Sequence, residues 1–115
     1  MVKSDGNARL ILADRPKALS PVEAYEAIQR LLELRDSISL APHARQRMKE
    51  RHFNMDDVRR VLVYGNVSPG PTWDDAYGNW RYRVCYVDYD DDPLALIVAL
   101  EPSLGRITVI TGSDV

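Results

Sequence analysis

The chain has 115 residues, of which 45% are hydrophobic and 28% charged, with a formal net charge of −2. That length buries one real core without disulfides or metal, so a single domain is expected. The slightly acidic balance excludes a surface coated in cations, and any nucleic-acid contact must come from a local patch.

Residues 1–18 read as an N-terminal tail, with 8–13 (ARLILA) as a short strand that Asp14, Arg15 and Pro16 stop. A helix start follows. Ser20 is the expected N-cap, Pro21 the first helical residue and Glu23 the partner that closes a capping box. Ala24, Ala27, Ile28, Leu31 and Leu32 then have the spacing of one buried stripe, and the helix is expected to run to about Arg35. Residues 37–41 (SISLA) read as an edge strand or extended linker.

Pro42 opens a basic helix in which His43, Arg47 and Arg51 recur at every fourth residue and so share one ridge. Ala44 and Met48 point toward a core. After a turn at 52–54, Asn54 is the expected N-cap of a third helix, with Asp57 three residues on, Val58, Val61 and Leu62 inward, and Gly65 at the end.

The second half is β. Pro69, Gly70 and Pro71 confine 67–73 to an edge strand. Residues 79–88 alternate, with Trp80, Tyr82, Val84 and Tyr86 on one face and Arg81, Arg83, Cys85 and Val87 on the other. Residues 94–100 (LALIVAL) are apolar on both faces, as in a central strand covered twice. The last strand spans 106–111. The expected fold class is therefore α+β, with N-terminal helices packed on a small antiparallel β-meander. The helices cover one sheet face; aromatic side chains, the N-terminal segment or a second molecule must shield part of the other.

Charge is segregated: Arg45, Arg47, Lys49, Arg51, Arg59 and Arg60 are close in sequence, and four carboxylates fall within 88–92. Those carboxylates read as a solvated hairpin tip, because Pro93 does not suit a calcium loop and no glutamate follows at the right distance. Two histidines and one cysteine, Cys85, offer neither a zinc spacing nor a disulfide. No phosphate-cradling glycine loop, hydrolase elbow or dinucleotide fingerprint is present, so neither metal nor cofactor is expected. No apolar run reaches membrane-spanning length and the first ten residues lack a secretory apolar stretch, so a cytoplasmic protein is expected.

Residues 19–112 resemble the family around the MqsR toxins, within the wider RelE-like group of small bacterial endoribonuclease toxins. The resemblance is carried by Leu19-Ser20, by His43, Arg47, Met48 and Arg51, by Asp57, Val58, Leu62 and Gly65, by Arg83-Val84 and by Ile107-Thr108-Val109-Ile110-Thr111. It is nearer to that family's uncharacterised relatives than to MqsR itself. It implies one domain over 19–115 and a metal-free endoribonuclease, an mRNA interferase of a toxin–antitoxin pair, with RNA as substrate and a cognate antitoxin as partner.

Such chemistry needs a base for the 2′-hydroxyl proton, an acid for the leaving 5′-oxygen and cations for the phosphate charge. Imidazole and guanidinium suit these roles. His43, Arg47 and Arg83 are the expected catalytic residues, with Arg51, Arg81, Tyr82 and Trp80 binding RNA. Unpaired bases stack on aromatics, and Trp73, Tyr77, Trp80, Tyr82 and Tyr86 are available for that. Each residue also has a plainer role: His43 bonded at a helix start, the arginines in salt bridges, the tyrosines and tryptophans in packing. On that alternative the chain is a non-enzymatic protein-interaction module, a homodimer among its forms, on the same fold.

Overall fold

A computed structural model describes residues 16–87 and 93–113. The proposed strand at 8–13 and the acidic run at 88–92 lie outside these residues. The elements in order are helix α1 (Pro21–Leu32), strand β1 (Ile38–Leu40), helices α2 (Pro42–Arg51) and α3 (Met55–Tyr64), and strands β2 (Asn66–Val67), β3 (Thr72–Asp74), β4 (Asn79–Val87) and β5 (Pro93–Glu101). A 3₁₀ turn (Pro102–Leu104) and strand β6 (Arg106–Ser113) follow. Mixed α+β is the observed class.

Local signals account for the helix starts. Ser20 accepts from the Glu23 amide while the Glu23 carboxylate accepts from the Ser20 amide, so both orphan donors are satisfied. Asn54 and Asp57 repeat the arrangement at α3. Helix α1 ends at Leu32, three residues short of the expected Arg35. The chain must turn into β1, and Asp36 takes a left-handed φ of 55° in that turn. Gly65 also ends α3 differently from expectation. Its φ is −78°, so no left-handed cap is involved. Room is what it supplies: a Cβ there would collide with the Val61 carbonyl oxygen and lie 2.7 Å from the Cys85 carbonyl oxygen. The left-handed helix end belongs instead to His52, φ 58°, which closes α2 with its amide bonded to the Met48 carbonyl.

The sheet order is β1-β6-β5-β4-β2, with β3 also paired to β4. Strands β4, β5 and β6 form the expected antiparallel meander, and β1 joins its edge parallel to β6, with Ile38 beside Ile107. β2 and β3 run along one edge of β4, separated where Pro69-Gly70-Pro71 interrupts pairing. The three helices among the described residues contribute to a single core: Ala24, Ile28 and Leu31 from α1, Ala44 from α2, Val58, Val61 and Leu62 from α3. They meet Tyr82, Val84, Leu96, Val98, Ile107 and Val109 of the sheet. Phe53, in the turn between α2 and α3, lies over Gly112, where a Cβ would approach the ring to 2.7 Å.

Candidate functional site

Strand alternation sends every second residue of β4 and β6 away from the helices. In β4, Tyr82 and Val84 are buried inward while Arg81 and Arg83 belong to the outer face. In β6, Ile107 and Val109 are buried inward and Arg106 and Thr108 alternate with them. A bulge then intervenes: Ile97 pairs with Thr111 and Val98 with Val109, leaving Ile110 unpaired. The outer face carries an open groove of about 670 Å³, lined among others by His43, Arg81, Arg106, Thr108 and Ile110.

Five elements position its polar groups. Helix α2 contributes its N-cap Ala41 and its first two residues, Pro42 and His43, to the groove wall. Ala41 as N-cap makes no side-chain capping bond, Pro42 has no N–H, and the first turn holds no acidic residue. The positive end of the helix dipole is thus not neutralised from within the helix. Arg81 from β4 pairs with Asp74 of β3 at 3.0 Å and donates through Nε to Asn79 at 2.9 Å. Its guanidinium also lies 5.5 Å from the centre of the Tyr77 ring. Arg106 from β6 grips Glu101 of β5 with two bonds, 3.0 and 3.1 Å, and Thr108 donates to the same carboxylate. Both guanidiniums spend Nε and Nη2 on these partners, so the bonds named leave each Nη1 unused. The carboxylates therefore fix the guanidiniums in place as well as offsetting their charge.

The hydrogen bonds from Arg106 are the first cause holding the Glu101 carboxyl below its ordinary range. A carboxyl whose folded pKa is depressed adds stability above its unfolded value, near 4.3 for glutamate, roughly. That contribution is lost as pH falls through the lower folded value. Thermal melts of wild type and Glu101→Gln are expected to differ at neutral pH and to converge on acidification below about pH 4. A difference that stays constant down to strongly acid pH would show that this pair carries no linkage.

The residues singled out from sequence separate into four places. His43 and Arg81 share the groove. Arg83 lines the adjoining hollow of about 330 Å³ with Ser68, Thr72, Ile97 and Arg81, and donates to Ser68 Oγ and to Cys85 Sγ. Arg47 and Arg51 continue the ridge from His43, but each helical residue advances about 1.5 Å, so they stand roughly 6 and 12 Å farther along the axis. Neither lines the groove. Arg47 pairs with Glu50 at 3.5 Å, and its Nε is buried without a hydrogen-bond partner.

Trp80 and Tyr82 are on the helix side of the sheet. Tyr82 is 4% exposed and its hydroxyl accepts from the Leu19 amide, which uses it as a core residue. Trp80 donates to the Pro16 carbonyl and meets Trp73 edge to face, ring centres 5.3 Å apart. Sequence reading did not single out Arg106, Glu101 or Thr108. The signal was present: Arg106 and Thr108 alternate with Ile107 and Val109, which assigns them to the face opposite the core.

Among the described residues, no group of three or more His, Cys, Asp or Glu is placed to hold a metal ion. No helix among them is long and apolar enough to cross a membrane.

Fold and groove together define a small α+β domain with a mixed-charge groove on the open sheet face. Residues 40–111 match the family described as Domain of unknown function (DUF4258), and the chain belongs to that family. The match begins at the end of β1 and takes in α2, α3 and the meander, so it includes His43, Arg81 and Arg106. No curated protein and no solved structure matches the chain.

Proposed function

We propose that this protein binds single-stranded RNA in the groove and cleaves it without a metal, as a toxin-like endoribonuclease held in check by an antitoxin. One observation carries the reading: the uncapped start of α2, His43, Arg81 and Arg106 all line a single groove. A phosphate is attracted by a helix N-terminus and by the fork of a guanidinium. The MqsR/RelE resemblance of the His43–Arg51 segment supports the choice of RNA.

In the reaction the RNA 2′-hydroxyl passes its proton to the His43 imidazole, and the 2′-oxygen bonds to phosphorus as the bond to the 5′-oxygen breaks. The leaving oxygen takes a proton from solvent, giving a 2′,3′-cyclic phosphate and a 5′-hydroxyl end. Arg81 and Arg106 stabilise the charge that builds on the phosphate oxygens. An antitoxin covering the groove would block entry of RNA.

A second reading is favoured by the pairing of both groove arginines with carboxylates, Arg81 with Asp74 and Arg106 with Glu101. In it these ion pairs are structural, and the outer face is a protein-interaction or dimer surface. Induced expression separates the two. The nuclease is expected to arrest growth and, when purified, to cut an end-labelled single-stranded RNA in the presence of chelator. A harmless protein that leaves the RNA intact would establish the interaction module instead.

A further inference from the structure

We infer that Tyr77 is a stacking platform for one unpaired base, so that the groove takes single-stranded RNA through a base as well as a phosphate. This rests on the RNA reading above and adds a specificity residue to it. Tyr77 is 78% exposed on a short hairpin turn. The turn is tightly made. The Tyr77 amide donates to Asp74 Oδ1 at 2.9 Å, the Gly78 amide to the Asp74 carbonyl at 2.8 Å, and Gly78 takes a φ of 66° that favours glycine.

The ring is therefore presented on a built support, against the Arg81 guanidinium that is itself tied to Asp74 and Asn79. Asp74 thus organises both groups at once: its carboxylate orients the cation and its backbone carbonyl closes the turn that carries the ring. Tyr77 lines the groove with His43 and also the neighbouring hollow of about 400 Å³ that contains Lys17. A strand whose phosphate rests on Arg81 has an aromatic surface within one side chain of it. Every base has a π-face, so such a platform is tolerant of sequence. Paired bases in a duplex keep their faces stacked on each other and cannot use it.

The test measures binding by fluorescence anisotropy, at fixed salt, of three probes with the same backbone length: a single-stranded RNA, its abasic counterpart and an RNA duplex. His43→Ala is used as the background so that the probe survives. Tyr77→Ala is expected to weaken binding of the single strand roughly tenfold. Tyr77→Phe should keep it, and the abasic strand should bind both variants alike. If Tyr77→Ala weakens the abasic strand equally, the ring acts only by holding Arg81 and the platform is overturned. An unchanged single-strand affinity in Tyr77→Ala, with Arg81→Ala weakened, overturns the platform while sparing the phosphate contact. Failure of the unsubstituted Tyr77 protein to bind any RNA overturns the RNA reading together with this inference.

Discussion

If the groove is a nuclease site, replacing His43 with alanine is expected to lower RNA cleavage by about 10²–10⁴-fold, the usual contribution of a positioned acid–base group. His43 is exposed at the second position of α2, so its loss should leave the core and the melting temperature nearly unchanged. Growth arrest should disappear with the activity. The informative comparison is Arg47→Ala, four residues along the same ridge. If the groove is the site, that substitution keeps cleavage near wild type, because Arg47 is engaged with Glu50 and lies outside the groove wall. Rates of cleavage of one labelled RNA by the three proteins decide the matter. Equal cleavage by wild type and His43→Ala would remove His43 from the chemistry; a loss confined to Arg47→Ala would move the site onto the helix ridge.

A large loss of stability is expected at Leu96. This side chain is 0% exposed in the middle of β5, flanked by Val84 on β4 and Gly112 on β6. Leu96→Ala removes buried methyl groups and leaves a cavity that strands on both sides prevent from collapsing, at a cost of about 2–5 kcal/mol. For a domain of this size each kcal/mol lowers Tm by about 4–8 °C, so a fall of roughly 10 °C or more is expected in a thermal melt. Val22→Ala, on the exposed side of α1, should change stability by no more than about 0.5 kcal/mol. A Leu96→Ala protein that melts with the wild type would mean that the two-sided packing around β5 is not where the fold's stability resides.

What could be read from the chain depended on how local its cause was. The two capping boxes at Ser20 and Asn54, the buried stripe of α1 and the alternation of β4 follow from residues within a few positions of one another, and each was legible. The parallel pairing of β1 with β6 was not, because Ile38 and Ile107 meet only after the whole meander is in place. Gly65 shows a related limit: a glycine at a helix end suggests a left-handed cap, but what it supplies is room beside two carbonyls, Val61 in its own helix and Cys85 on β4. The site divides in the same way. Periodicity correctly grouped His43, Arg47 and Arg51 on one ridge, yet a ridge about 12 Å long cannot converge on one phosphate. Its first residue alone reaches the groove, where strands contribute Arg81 and Arg106. Trp80 and Tyr82 suit RNA by their chemistry alone; the pleat turns both toward the helices.

The pleat of β4 and β6 also bears on how the family can diversify. Val84 and Val109 hold the fold together from one side of these strands, while Arg83 and Arg106 face away from the helices on the other. Solvent-side substitutions away from ion pairs such as Arg106–Glu101 ordinarily disturb stability little. Outward positions can therefore be rewritten, residue by residue, without asking the interior to repack. Members that share this scaffold are physically free to differ in what they hold and whether they react with it, so kinship in architecture sets no common chemistry among them.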